Sequence, residues 1–503
     1  MQVLFVTSEA YPLAKSGGLA DVSSALPAAL SRAGIDVRIL MPAYPGAADA
    51  LKNARIAARL PQMLEIDNSS LIAGELPHSG VPVWLVDAPA LFDRHGGLYQ
   101  DDAGHDWADN ARRFAFLAHA AAHVARGIAG WKPDVVHAND WHAGLVPLLL
   151  AKRAGPASVF TIHNLAFQGN FPADALQAIG IPGDVFHSDG LEFYGQASFL
   201  KAALRFSDKI TTVSPTYAAE ALGPDAGCGL EGILRSRAGD FSGILNGIDT
   251  DFWNPATDIH LPANYSAGKL SGKRLCKAEL QREFALPLAP ETPLIGFVSR
   301  IAHQKMADVI LDAIPAIVDC GAQFVLLGRG DPALEAGFAA MARRFPENVA
   351  VRIGYDEPLA HRLQAGADIL LAPARFEPCG LTQLYALRYG TIPIVRKTGG
   401  LADTVKDASP DALADRSATG FVFEHADRSG LLYAVGRALQ LYKEPLTWRR
   451  IMAQAMAQDF SWTASAAKYA ALYFELCGVS TLEMTKDRSK AEPDALLSVS
   501  VGI

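Results

Sequence analysis

One heptapeptide occurs in nearly the same form near both ends of the chain. Residues 15–21 read Lys-Ser-Gly-Gly-Leu-Ala-Asp, and residues 397–403 read Lys-Thr-Gly-Gly-Leu-Ala-Asp. The first copy stands between an apolar strand, 3–6, and a helix that Gly34 ends, and another apolar strand follows at 37–40. This order of strand, glycine loop, helix and strand opens a doubly wound α/β domain. Two such loops, one in each half, indicate two similar domains that face one site.

The second half of the chain restarts the pattern with predicted strands at 294–298, 324–327, 349–353 and 369–371. A chain of 503 residues is also too long for one ordinary core. We therefore predict an α/β fold with two Rossmann-like, doubly wound domains facing each other across a cleft. The predicted parts are an N-terminal domain (1–246), a C-terminal domain (247–458), a helix packing back toward the N-terminal domain (459–478) and a disordered tail (479–503).

Charge and cysteine content exclude several classes of protein. The formal net charge is −8, without long acidic blocks, which argues against nucleic acid or an anionic membrane as partner. The five cysteines are scattered and lack CxxC spacing, which predicts free thiols in a reducing compartment and no zinc site. No signal peptide is visible and no apolar run reaches the length of a membrane span, so we expect a cytoplasmic protein.

Polar clusters follow two predicted strands of the first half. Asp140 comes soon after the strand 134–137, and His163 and Asn164 follow the strand 157–162. Ligands of open parallel sheets bind beyond the carboxyl ends of the strands, so these side chains are site candidates by position. Taken alone, His163 fits a structural histidine, with its hydrogen bonds satisfied within the protein, better than a ligand-binding one.

Two further candidates lie in the second half. Arg300 and Lys305 leave one strand on the same loop, where they could neutralise a diphosphate or form a solvated pair. Glu377 precedes a helix, so its carboxylate could cap that helix or accept hydrogen bonds from sugar hydroxyls. In the second case the amides of residues 380–382 would face a phosphate. Cys379 could belong to such a site, or it could equally be a small buried residue of the core.

The glycine loops also have two interpretations. Paired glycines let the backbone approach a ligand closely, and Lys15 is free to reach one, whereas Lys397 fits a solvated turn equally well. Separately, Gly328-x-Gly330-x-x-Ala333 matches a loose dinucleotide fingerprint, but it follows the second strand of its domain. Asp331 before a proline fits a helix cap instead.

Several motifs in order carry a specific resemblance to a known family. The chain resembles bacterial glycogen synthases and plant starch synthases, which are retaining glucosyltransferases of the GT-B fold, over nearly all of residues 1–478. The resemblance implies ADP-glucose as donor, the nonreducing end of an α-1,4-glucan (glycogen) as acceptor and ADP as product. It implies no cofactor and no metal, and it is compatible with a homo-oligomer. The matching segments are 15–22, 140–144, 163–169, 190–193, 245–249, 299–305 and 375–383.

The resemblance also implies roles for individual residues. His163, Arg300, Lys305 and Glu377 would be catalytic. The substrate-binding residues would be Lys15, Gly17, Gly18, Asp21, Asp140, Asn164, Asn246, Cys379, Gly380, Leu381 and Thr382.

Three positions of the sequence depart from related enzymes. Ser16 stands where threonine is common. Met306 stands where the family usually has glycine, so the backbone of that loop is in question. Tyr385 replaces the second glutamate of related retaining transferases, a gap that glycogen synthases share. Two alternatives stay open from the sequence: an enzyme of the same fold with another donor or acceptor, and a glycan- or nucleotide-binding protein without turnover.

Overall fold

The structure is a computed structural model that describes residues 1–128, 130–151 and 155–478. The chain forms two compact units. Among the described residues, unit 1 comprises Met1–Ile162, Phe167–Ile210 and 463–478, and unit 2 comprises His163–Ala166 and Thr211–Trp462. The domain boundary expected after Asn246 stays a prediction, and the expected tail, 479–503, lies outside the described residues.

Both units contain β-strands. In chain order they are β1 (Gln2–Val6), β2 (Asp36–Pro42), β3 (Lys52–Arg59), β4 (Ser70–Glu75), β5 (Pro82–Asp87), β6 (Val135–Asn139), β7 (Ala157–Ile162), β8 (Asn170–Pro172), β9 (Glu192–Phe193), β10 (Gln196–Ser198), β11 (Lys209–Thr212), β12 (Phe241–Gly243), β13 (Leu294–Val298), β14 (Gln323–Gly328), β15 (Val349–Ile353), β16 (Ile369–Leu371), β17 (Ile392–Arg396) and β18 (Phe421–Phe423).

The helices alternate with these strands over most of the chain. They are α1 (Gly18–Arg32), α2 (Ala47–Ala50), α3 (Pro89–Phe92), α4 (Asn110–Val124), α5 (Val146–Ala151), α6 (Ala175–Ala178), α7 (Phe199–Phe206), α8 (Pro215–Ala221), α9 (Glu231–Ser236), α10 (Ser271–Glu283), α11 (Ala307–Asp319), α12 (Pro332–Arg344), α13 (Glu357–Gly366), α14 (Thr382–Arg388), α15 (Gly399–Thr404), α16 (Pro410–Ala414), α17 (Arg428–Tyr442), α18 (Pro445–Met456) and α19 (Trp462–Leu476).

Unit 1 contains a sheet with the strand order β7-β6-β1-β2-β5-β4-β3. From β7 to β5 neighbouring strands are parallel, and β4 then runs antiparallel to both β5 and β3. The central strands are buried along nearly their whole length, which explains their continuous apolar runs. The sequence did not indicate the β3–β4 hairpin, because β3 is mostly exposed and lacks an apolar face.

The last helix, α19, contributes to unit 1 from the far end of the chain. The hydroxyl of Tyr473 and Nδ1 of His137, on β6, are hydrogen-bonded at 2.7 Å, and both side chains are fully buried. Lys209 forms an ion pair of 3.2 Å with Glu475.

Unit 2 is built on a six-stranded, wholly parallel sheet with the order β15-β14-β13-β16-β17-β18. Numbered within the unit, this order is 3-2-1-4-5-6, the order of a Rossmann fold. Alternate residues of its strands enter two separate cores: Ile295 and Phe324 lie in one, Leu294 and Val325 in the other. Both faces of the sheet are therefore covered, and the predicted doubly wound α/β class is confirmed. Among the described helices, none combines the length and apolar character needed to cross a membrane.

Candidate active site

Glu377 lies in the loop between β16 and α14, and the residue is 8% exposed. Its Oε2 is paired with the ammonium of Lys305, which ends a short 3-10 turn after β13. Helix α14 has Leu381 as its N-cap and no side-chain cap. The carboxylate therefore faces a cation and does not cap the helix, which favours the functional interpretation of Glu377.

Arg300 lies on the same loop as Lys305 and is exposed. Its guanidinium donates to Gln304 Oε1 at 3.1 Å, and Gln304 Nε2 donates to the carbonyl of Phe376 at 3.2 Å. The two loops that carry Arg300 and Glu377 are thus joined directly. Met306, next to Lys305, has φ of 52° and ψ of 31°, the left-handed conformation that glycine favours, with its side chain fully buried.

Cys379 follows Glu377 by two residues, and Asn246 approaches it from a distant part of the sequence. The backbone N–H of Asn246 donates to the carbonyl of Val213 at 3.3 Å and also faces the Cys379 sulfur, and burial raises the pKa of this thiol to about 12. Cys379 is therefore a neutral and unreactive thiol at neutral pH while it stays buried. Oδ1 of Asn246 is buried and has no hydrogen-bond partner within the described part of the chain. A buried acceptor of this kind is suited to a ligand hydroxyl.

The turn at 379–382 is fixed by side chains that the sequence did not indicate. Gly380 has φ of 73°, a left-handed conformation that glycine adopts without steric cost. Nε2 of the buried Gln383 donates to the carbonyls of Cys379 and Gly380 at 3.1 and 2.9 Å. Ser214 Oγ donates to the carbonyl of Pro378 at 2.7 Å. The amides of Gly380, Leu381 and Thr382 are therefore held in one place at the start of α14.

The first copy of the heptapeptide lies in unit 1 and leads into α1. Lys15 Nζ and Asp21 Oδ1 form an ion pair of 2.9 Å, and the backbone N–H of Ser16 donates to Glu9 Oε2. Gly17 is the N-cap of α1, and a Cβ added there would meet no atom within 4 Å. The protein itself does not require glycine at this position, as expected where a ligand approaches the backbone.

The second copy lies in unit 2 and is used for packing. A Cβ at Gly399 would overlap the carbonyl oxygen of Glu377, and one at Gly400 would overlap Cys379. Asp403 accepts hydrogen bonds from the backbone and hydroxyl of Thr216 at 2.9 and 2.6 Å, and Lys397 forms an exposed ion pair with Glu424. The structural interpretation of this copy is therefore favoured.

Glu9 and Asp140 bring two carboxylates to the glycine loop of unit 1. Burial raises the pKa of Glu9 to about 7, and the neighbouring charges of Asp21 and Asp140 act in the same direction. Asp140, 7% exposed, follows β6 with φ of 54° and ψ of 175°. Backbone strain of this kind is concentrated at functional sites.

His163 and Asn164 lie in the segment 163–166 of unit 2. Burial lowers the pKa of His163 to about 3, so its imidazole is neutral at physiological pH. Oδ1 of Asn164 accepts the backbone N–H of Ala166 at 3.0 Å. His163 can therefore exchange hydrogen bonds with a ligand but brings no positive charge.

The loose dinucleotide fingerprint has a structural explanation. Asp331 caps α12 by accepting the N–H groups of Ala333 and Leu334 at 2.8 and 3.1 Å. A Cβ at Gly328 or Gly330 would overlap the backbone of the 299–301 loop. Among the described residues, no group of three His, Cys, Asp or Glu side chains is arranged to hold a metal ion.

The sequence candidates thus form two groups. Unit 1 holds those around the first glycine loop, and Glu9, which the sequence did not indicate, joins them. Unit 2 holds those around Glu377, joined by Ser214 and Gln383. The first group is Lys15, Gly17, Gly18, Asp21 and Asp140, and the second is Asn246, Arg300, Lys305, Glu377, Cys379, Gly380, Leu381 and Thr382. His163 and Asn164 also belong to unit 2, on the segment 163–166.

Comparisons with known proteins agree with this geometry. A family model described as the starch synthase catalytic domain matches residues 2–236, and one for glycosyl transferases group 1 matches residues 292–440. A glycogen synthase of Burkholderia thailandensis is 54% identical over 94% of this chain and 90% of its own length. A glycogen synthase of Paramagnetospirillum magneticum is 51% identical over 95% and 98%, respectively.

Solved structures show the same relationship. The catalytic domain of starch synthase IV from Arabidopsis thaliana, bound to ADP and acarbose, superimposes with a TM-score of 0.86 at 35% identity, covering 95% of this chain and 99% of that one. Sucrose-phosphate synthase from Thermosynechococcus elongatus shares the fold, with a TM-score of 0.60 at 17% identity. The high identity over nearly the whole length of these relatives decides the assignment: the chain belongs to the glycogen synthases, glycosyltransferases of the starch synthase family with the GT-B fold.

Proposed function

We propose that this chain transfers glucose from ADP-glucose to the nonreducing end of an α-1,4-glucan, with retention of the anomeric configuration and release of ADP. The observation that carries the proposal is the ion pair between Lys305 and Glu377, which lies just before α14. The chain's membership of the glycogen synthase family supports the same reaction. The starch synthase IV structure contains ADP and acarbose, a nucleotide and a glycan of matching chemistry.

The charges in unit 2 suit the demands of this reaction. Breaking the bond between glucose and ADP builds negative charge on the phosphate and positive charge on the sugar. Arg300 and Lys305 bind the diphosphate and stabilise the departing ADP, with the amides of residues 380–382 beside them. Glu377 accepts hydrogen bonds from the glucose ring, and it passes from a partner of Lys305 to a partner of the sugar.

The remaining residues bind and orient the sugar. Neutral His163 donates or accepts one hydrogen bond at the reacting glucose, and Asn246 offers its buried Oδ1. Lys15 contacts the nucleotide sugar from the first glycine loop, and Asp140 flanks the reacting sugar. Retention follows from attack on the same face that ADP leaves, within a short-lived ion pair.

Transfer of label tests the proposal. Purified protein incubated with ADP-[14C]glucose and glycogen should label the polymer, and UDP-glucose serves as the competing donor. Lys305→Ala and Glu377→Ala should each lower kcat by about 100-fold or more while ADP still binds. Absence of incorporation from either donor would show the proposal to be wrong, as would variants that lose binding and turnover equally.

We also infer a reducing, cytoplasmic setting for the chain. All five cysteines are free thiols, two of them buried and three exposed. Free thiols are typical of proteins in a reducing compartment. Assembly as a homo-oligomer stays a prediction, which sedimentation of the purified protein would test.

A further inference from the structure

The backbone of the Glu377 turn is pressed against the second pair of glycines. The N–H of Gly400 donates to the carbonyls of Glu377 and Pro378 at 3.1 and 3.2 Å. Gly399 has φ of 43°, and neither glycine has room for a side chain on the side of the turn. The position of the Glu377 backbone is therefore set by the position of Gly399 and Gly400.

A second carboxylate holds these glycines from the other side. Glu220, near the end of α8, accepts the N–H of Gly399 at 3.0 Å on Oε1 and 3.1 Å on Oε2. Both oxygens also accept the hydroxyl of Thr398 at 3.2 Å. The carboxylate thus satisfies the first backbone N–H of α15 and the Thr398 hydroxyl, and each of these two donors is shared between its two oxygens.

We propose that Glu220 is a positioning residue for glucosyl transfer, which acts on Glu377 through the Gly399–Gly400 pair. Ser214, the N-cap of α8, donates a hydrogen bond to the carbonyl of Pro378. Helix α8 therefore contacts the turn directly through Ser214 and indirectly through Glu220 and the two glycines. A shift of about 1 Å in a catalytic group costs up to about 100-fold in rate. The inference rests on the proposed function, because it concerns the geometry of the group assigned to the glucose ring.

The test compares Glu220→Ala and Glu220→Gln with Glu424→Ala. Glu424 is the matched control, since its carboxylate pairs with Lys397 of the same loop at 3.2 Å but does not contact the glycines. Glu220→Ala should lower kcat by about 10- to 100-fold and change the KM for ADP-glucose by less than about 3-fold. Glu220→Gln keeps one acceptor oxygen and should recover part of the loss, and Glu424→Ala should match the parent.

A second readout does not depend on catalysis. Cys379 adjoins the turn and is 5% exposed, so its alkylation rate, followed by peptide mass spectrometry, reports whether the turn is held. Glu220→Ala should raise that rate by about 10-fold or more, and Glu424→Ala should leave it unchanged. If Glu220→Ala does not fold, both readouts are taken from Glu220→Gln.

The outcomes separate the two proposals. A kcat within 2-fold of the parent, or a fall in kcat with an unchanged Cys379 rate, overturns the role of Glu220. A parent that transfers no glucose refutes the proposed function, and the Cys379 rate then still decides whether Glu220 holds the turn.

Discussion

Replacing one glycine in each heptapeptide copy should have different effects. The change in the second copy should lower stability and kcat, and the change in the first should raise the KM for ADP-glucose. Gly399→Ala introduces a side chain at φ of 43°, which costs about 1–2 kcal/mol. Its Cβ would also overlap the Glu377 carbonyl, which must move by about 1 Å to restore a separation of 3.0 Å. We expect the free energy of unfolding to fall by about 2–4 kcal/mol and kcat to fall by about 100-fold.

Gly17→Ala is the comparison within the same chain. The backbone of Gly17 is extended, with φ of −159°, and a Cβ there meets no protein atom within 4 Å. The free energy of unfolding should stay constant or rise by up to about 1 kcal/mol. The KM for ADP-glucose should rise by about 10-fold or more, because the ligand and the new methyl group compete for the same space.

Denaturant melts and steady-state kinetics measure both quantities. Gly436→Ala, within α17 and open to space, is the control and should stabilise the protein by about 0.5–1 kcal/mol. Parent-like stability and kcat for Gly399→Ala would refute the packing of the second copy. A parent-like KM for Gly17→Ala would refute close approach of the donor to the first copy.

Three further predictions follow from buried charges. Because the pKa of Glu9 is raised from 4.5 to about 7, its contribution to stability is complete below pH 4.5 and lost as pH rises through 7. In melts at pH 8, Glu9→Gln should therefore exceed the parent in free energy of unfolding by up to about 3 kcal/mol. A difference between the two proteins that does not change with pH would contradict this. Lys305→Ala and Glu377→Ala should each destabilise the protein, and the double variant should lose at least about 1 kcal/mol less than their sum in the same melts; full additivity would count against a coupled pair. Lys273 is buried and donates to two carbonyls and to Thr391, so Lys273→Met should lower the free energy of unfolding by about 2–4 kcal/mol. An unchanged melt would show that other donors satisfy those three acceptors.

Local patterns in the sequence predicted much of the fold. Four strands of the unit 2 sheet, β13 to β16, lie where apolar runs indicate them. Three of these, β13, β14 and β16, are buried along nearly their whole length, and such strands have little choice of residue. Asp331 before a proline predicted a cap, and it is one. The cap on α12 and the strand β13 depend on neighbours within a few residues, which a single sequence displays.

Contacts between distant residues had no such signal. Glu220 and Gly399 are 179 residues apart, and an ordinary glutamate on a short helix gives no hint of its partner. The pairing of Lys305 with Glu377 likewise spans 72 residues. The heptapeptide repeat itself could not distinguish a ligand loop from a packing loop, because the difference lies in what surrounds Gly17 and Gly399.

The return of α19 to unit 1 has a consequence for synthesis of the chain. About 250 residues of unit 2 are made after β11 begins and before Tyr473 can reach His137. At about 5–20 residues per second, the ribosome takes roughly 10–50 s over that interval. During that time, His137 and its apolar surroundings in the nascent unit 1 lack the helix that covers them in the complete chain. A chaperone that shields apolar surface can bind at this place until α19 is made.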